Sequence, residues 1–152
     1  MLRHTVATLA YRGGKAVRGA PEGFSDFRAG KTSRSAGEIL AHVGDLLDWA
    51  LVMARKKHEW HDSEPLAWDK EVQRFFAALE ALDEYLASGN PLRSEPEKLF
   101  QGPIADALTH IGQIAMLRRL AGAPVRGENY LRAKIVMGRV GPRQAAPVKE
   151  FE

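Results

Sequence analysis

The chain has 152 residues, 45% hydrophobic and 27% charged, with a net charge of +3, the composition of one ordinary globular domain with its own core. It has no cysteine, which excludes disulfides, zinc–thiolate sites and a cysteine nucleophile. No apolar run approaches the roughly twenty residues of a membrane span, and Lys and Arg are interleaved with Asp and Glu rather than drawn into a dense basic stripe, so neither a membrane nor a nucleic acid is an expected partner.

The elements read in chain order as helices. Leu2, Val6, Leu9 and Ala10 predict a first helix, and Gly13-Gly14 is expected to kink or end it. The first twenty residues carry Arg3, Arg12, Lys15 and Arg18 and no acidic residue. Without an apolar run and a cleavage site behind them they read as a basic helix, not a targeting peptide. Arg12-Gly13-Gly14-Lys15 lacks the spacing of a phosphate loop. A loop follows through Gly19 to Gly30.

Ser35-Ala36-Gly37-Glu38 is a capping box, and Ile39, Val43, Leu46, Leu47 and Ala50 continue it as a helical stripe. This second helix is predicted to reach about Lys57, with His42 at the edge of its apolar face. A third helix is predicted over residues 65 to 88, with Pro65 in its first turn and Val72, Phe75, Phe76, Leu79, Leu82 and Leu86 as its core stripe. Residues 89 to 102 read as loop. Pro103 is then predicted to open a fourth long helix that runs to about Leu120 and is stopped by Gly122 and Pro124. A short last helix is expected over Tyr130 to Gly138, and the tail after Pro142 is expected to fray. No stretch alternates with period two. The expectation is a single all-α domain over residues 1–152, a bundle of four helices with a short C-terminal extra helix.

Asp106 and His110 lie four apart on the fourth helix, with Ile104, Leu108, Ile111 and Ala115 as its apolar stripe and Asp106, His110, Gln113 and Leu117 as a second one. Side chains four apart on a helix stand on one face, so this pair can grip one ion. A neighbouring helix can supply a third ligand, and His42 is the candidate. Two imidazoles and a carboxylate leave coordination positions open, which suits a reactive metal. The bland alternatives are a core-edge histidine at 42 and an intrahelical ion pair between Asp106 and His110.

Other residues were weighed beside these three. Gln113, one turn past His110, is either an orienting partner or a plain polar residue. Glu38 and Asp45 lie near His42 at helical spacing, as outer partners or a general base, although Glu38 already serves the cap. His58, Trp60, His61 and Asp62 form a second cluster whose histidines, three apart, read as adventitious surface groups. Asn129 reads as a helix cap, with Tyr130 as a candidate to overhang a pocket at the end of the ligand helix. Arg126, or another C-terminal arginine, is the candidate for an anionic substrate group.

Ser35-Ala36-Gly37-Glu38-Ile39-Leu40-Ala41-His42 with Trp49 in the same helix, Asp106-Ala107-Leu108-Thr109-His110-Ile111-Gly112-Gln113, and the exit Gly122-Ala123-Pro124-Val125 towards Asn129-Tyr130 together resemble the DinB/YfiT-like superfamily over nearly the whole chain. The resemblance implies a DinB-like four-helix bundle, often paired as a homodimer. It also implies one divalent metal ion (zinc, nickel, iron or manganese) held by His42, Asp106 and His110. The usual set in that superfamily is three histidines, and Asp106 stands where the middle one is expected. Some relatives are metal-dependent transferases that use a low-molecular-weight thiol such as bacillithiol or mycothiol; many members have no assigned activity. The implied function is a metal-dependent enzyme acting on a small electrophilic molecule, with a thiol as cosubstrate, in the cytoplasm. Its rivals are metal-assisted hydrolysis and a non-catalytic dimeric bundle whose site is vestigial. No catalytic residue beyond the metal ligands is assigned.

Overall fold

The computed structural model describes residues 1–56 and 59–151. Its long elements are α1 (Leu2–Val17), α2 (Ala36–Arg55), α3 (Trp68–Ala87) and α5 (Ala105–Leu120), with a single turn, α4 (Pro96–Leu99), before the last. Among the described residues there is no strand, only one isolated bridge between Glu128 and Glu150. The protein is an all-α helical bundle. No helix is long and apolar enough to cross a membrane among the residues described.

The capping box forms as expected. Glu38 N donates to Ser35 Oγ at 3.2 Å, and Ser35 N donates to Glu38 Oε2 at 2.7 Å, so two orphan amides at the start of α2 are satisfied reciprocally. The helix closes at Arg55, and its expected end at Lys57 lies outside the described residues.

Several expectations are corrected. Gly13 and Gly14 neither kink nor end α1, which continues to Val17. They are points of close approach: the Phe75 ring lies where a side chain at 13 would begin, and the Phe76 ring lies 3.3 Å from where one at 14 would begin. Pro65 is not in the first turn of α3. That helix starts at Trp68, and Leu66 N, ahead of it, donates to the Glu71 carboxylate at 2.9 Å instead of entering a helical turn. Pro103 does not open the last helix. Pro96 takes the first-turn position, and Pro103 sits within a π-helical segment, Phe100–Ile104, that leads into α5. Proline lacks the amide for an i−4 bond and its ring crowds that carbonyl, and a wider turn accommodates it. Part of the predicted loop over residues 89–102 is therefore helical.

Gly122, at φ +75°, ends α5 as expected, with Ala123 N donating to Arg118 O at 2.9 Å. The predicted helix over Tyr130–Gly138 shrinks to one 3-10 turn, Tyr130–Arg132. Leu131, Val136 and Met137 are exposed and Ile135 packs against the core by itself, so the segment has no continuous apolar face at helical spacing to bury. Beyond Pro142, where fraying was expected, Asn129 N donates to Lys149 O at 2.9 Å, and Lys15 holds Glu150 at 2.6 Å and the buried Glu128 at 2.8 Å.

The helices pack as a ring. α2 lies against α3 and α5, and α1 lies against the same two from the other side, so α1 and α2 face each other across the core. Leu9, Leu40, Leu47, Phe75, Leu79 and Ile114 fill the centre. The α2–α5 seam is where the functional residues meet.

Candidate metal centre

His42 projects from α2, and Asp106 and His110 project from successive turns of α5. The structure brings all three together. Asp106 Oδ2 is 3.9 Å from His42 Nε2, and Asp106 Oδ1 is 3.5 Å from His110 Nε2. The two imidazoles stand nearly perpendicular, at 87°, with ring centroids 4.8 Å apart. One ligand atom from each residue lies within 4.8 Å of the other two, and the group can hold a metal ion. For comparison, donors about 2.1 Å from a tetrahedral ion sit about 3.4 Å from one another, so the set needs only a small contraction. Both histidine side chains are largely covered, at 17% and 13% exposure, while Asp106 is 49% exposed. The open side of the group therefore faces solvent past the carboxylate.

Electrostatics favour a neutral, ligating imidazole at His42. Burial pulls His42 below the ordinary histidine value, and the positive charge of Arg34 and the neighbouring His110 push the same way against Asp106 and Asp45. At His110, Nδ1 lies 2.7 Å from Gln113 Oε1. A carbonyl oxygen only accepts, so this contact suits the tautomer with the proton on Nδ1, which leaves Nε2 to ligate on the side of Asp106 and His42. Gln113 is thus an orienting partner.

Aromatic residues wall the site. Trp60 meets His42 edge to face at 5.7 Å and Trp49 at 5.5 Å. Of the second cluster, His61 Nε2 approaches Asp45 Oδ1 at 3.5 Å and Asp48 Oδ2 at 4.0 Å, a second grouping with ligand-type atoms. Here Arg74 Nη2 already sits between the two carboxylates, 2.5 Å from Asp45 and 2.8 Å from Asp48. A guanidinium thus fills the place a cation would take. His58 lies outside the described residues.

Glu38 and Asp45 are both committed to structure. Arg28 forks onto Glu38 at 2.9 and 3.0 Å, and Asp45 accepts from Ser63 Oγ at 2.6 Å as well as from Arg74. Asn129 is a cap, accepting from Leu131 N at 3.2 Å. Tyr130 does not overhang the pocket; it packs on Tyr11 and under the Arg12 guanidinium, on α1. Arg126 is drawn to Glu150 at 3.7 Å and lines neither cavity at the histidines. The cations that do stand beside them are Arg34 and Lys31, from the loop before α2. Sequence reading passed over these two, and the available signal was their place directly ahead of a strong helix start.

Two cavities flank the group. A polar one of about 410 Å³ is lined by Lys31, Arg34, Asp62 and His42 among others; a mainly apolar one of about 460 Å³ is lined by His110, Gln113, Met116, Leu117 and Leu120, and Arg34 lines both. Fold and site together define an all-α bundle with a two-histidine, one-carboxylate candidate metal centre at a helix–helix seam. Searches against family models, curated proteins and solved structures find no match to the chain.

Proposed function

We propose that this protein is a divalent-metal-dependent enzyme of the DinB/YfiT-like kind, using His42, Asp106 and His110 to hold zinc, nickel, iron or manganese and acting on a small electrophilic molecule. The observation that carries the reading is the convergence of these three side chains from two helices, with His110 Nδ1 in contact with Gln113 and Nε2 on the side of the group. A bound divalent ion supplies Lewis acidity, which acidifies a thiol or water and polarises an electrophile. The chain has no cysteine, so a thiol for transfer chemistry must come from a cosubstrate; the choice of thiol transfer over hydrolysis rests on the resemblance. This chain's own residues do the rest. Gln113 fixes His110, burial keeps His42 neutral, Trp60 covers one side of His42, and the half-exposed Asp106 leaves the approach open.

Metal content by mass spectrometry on untagged protein tests the reading, together with His110→Ala. The expected result is close to one equivalent of metal per chain in the parent and loss of it in the variant. A metal-free parent that also fails to bind added zinc or nickel, or a variant that retains metal as well as the parent, overturns it.

A further inference from the structure

We infer that the small molecule handled at this centre is an organic anion with an apolar tail, a medium-chain carboxylate in chemical class, its charged end held by Arg34 and Lys31 and its tail laid along Met116, Leu117 and Leu120. This deepens the proposed function and rests on that site being the place of chemistry.

Four observations carry it. First, the two cavities meet at Ser33 and Arg34, which line both, with His42 in the wall of the polar one and His110 in the wall of the apolar one. A molecule that spans them runs past Arg34 and touches a candidate ligand on either side. Second, the polar cavity has cationic charge to spare. Arg28 is taken by Glu38 and Asp45 is taken by Arg74. Among the described lining residues this leaves Lys31 and Arg34 against Asp62 alone. Neither of these two cations has an ion pair among the described residues. A guanidinium is a planar fork matched to carboxylate geometry. Third, the segment that carries Arg34 is held in place. Arg28 Nη1 donates to Ser33 O at 2.7 Å while the same guanidinium grips Glu38 of the capping box, and Ser33 Oγ closes on Gly30 O at 2.9 Å. The cation is thus presented from a fixed turn, not a free strand of loop. Fourth, the other cavity is apolar for a reason internal packing does not supply. Met116 and Leu120 are 57% and 56% exposed, one turn apart on α5, beside the buried Leu117 and Ile39. Apolar wall, few polar groups and one fixed charge make a small-molecule site of ordinary size.

Calorimetric titration of zinc-loaded, untagged protein with octanoate, and with octanol as the uncharged control, tests the inference. Octanoate is expected to bind at least tenfold more tightly than octanol. Arg34→Gln is expected to weaken octanoate at least tenfold, leave octanol unchanged and keep the same metal content, and Leu120→Asn is expected to weaken both probes. Equal affinity for the two probes, or octanoate binding indifferent to Arg34→Gln, overturns the proposal. Octanoate binding lost in His110→Ala but kept in Arg34→Gln also overturns it, because the carboxylate then sits on the metal. The two readings fail separately: a parent that binds no metal but shows Arg34-dependent octanoate binding sinks the metal centre and upholds the ligand class.

Discussion

Whether a histidine is a ligand or a core-edge residue is decided by where its lone pair goes. Asp106 stands between His42 and His110 at 3.9 and 3.5 Å, longer than a charge-assisted hydrogen bond to either. Three donors around a gap differ from a bonded pair, and the gap is what an ion would close. Gln113 is the residue on which this distinction can be measured. It is exposed and hydrogen-bonds His110 Nδ1, so Gln113→Leu should leave the fold intact. It should weaken zinc by about 10- to 100-fold, the usual effect of losing a partner that orients a ligand. Competition against a chromophoric chelator measures this, and an unchanged affinity would return Gln113 to the status of an ordinary polar residue. The pairing of Asp106 with His110 was legible in sequence because i,i+4 spacing is a local property of a helix. The arrival of His42 beside them was not local and rested on resemblance. Arg34 was hard to read for a further reason: a loop side chain has no periodicity, and its place just ahead of the α2 capping box is a weaker signal than a stripe.

Among elements, the glycines show how one residue type means opposite things on two helices. At Gly13 a methyl group would be driven into the Phe75 ring, whereas at Gly112 on α5 nothing lies within 4 Å of where it would stand. Alanine favours a helix over glycine by about 1 kcal/mol at either place, but overpacking a close helix contact costs about 1–3 kcal/mol. Gly13→Ala should therefore destabilise by up to about 2 kcal/mol net and Gly112→Ala should stabilise by about 0.5–1 kcal/mol. Urea unfolding of the two variants beside the parent checks the signs, and a stabilised Gly13→Ala would show that α1 and α3 are not seated as closely as described. The same contrast explains what could be read of the elements. The apolar stripes of α2 and α3 and the capping box are periodic or short-range signals, and they appear where expected. The continuation of α1 through Gly13-Gly14 depends on which ring lies opposite, and the π segment at Pro103 depends on a helix already under way from Pro96. Read alone, both signals are breakers; in place, one is a close contact and the other a widened turn.

At the scale of the whole molecule, one carboxylate ties three parts of the chain together. Asp45, on α2 and 2% exposed, accepts from Arg74 on α3 and from the backbone and hydroxyl of Ser63 in the connector that leads from α2 to α3. This is the same connector that places Trp60 against His42, so the clamp joins the strongest helix pair to the wall of the site. Burial alone would push the Asp45 carboxyl up, but the hydrogen bonds from Ser63 and Arg74 outweigh it and hold it below the usual carboxylate range. A group whose folded value is depressed stabilises the fold above its unfolded value and ceases to do so as the pH falls through the folded one. The Asp45 contribution should therefore be complete at pH 6–7 and decline below the unfolded carboxylate value of about 4. Asp45→Asn should cost about 1–3 kcal/mol at neutral pH, because it removes the charge from a buried acceptor and leaves the Arg74 guanidinium with Asp48, the Ala41 carbonyl and the more distant Glu71. Unfolding both proteins in urea at pH 7 and near pH 3 separates this from a simple packing defect. The gap between parent and variant should narrow at the lower pH, since the unfolded parent then takes up a proton at this carboxylate and the folded form loses its advantage. A gap that stays constant would mean that shape at position 45, and not its charge, holds α2, α3 and their connector together.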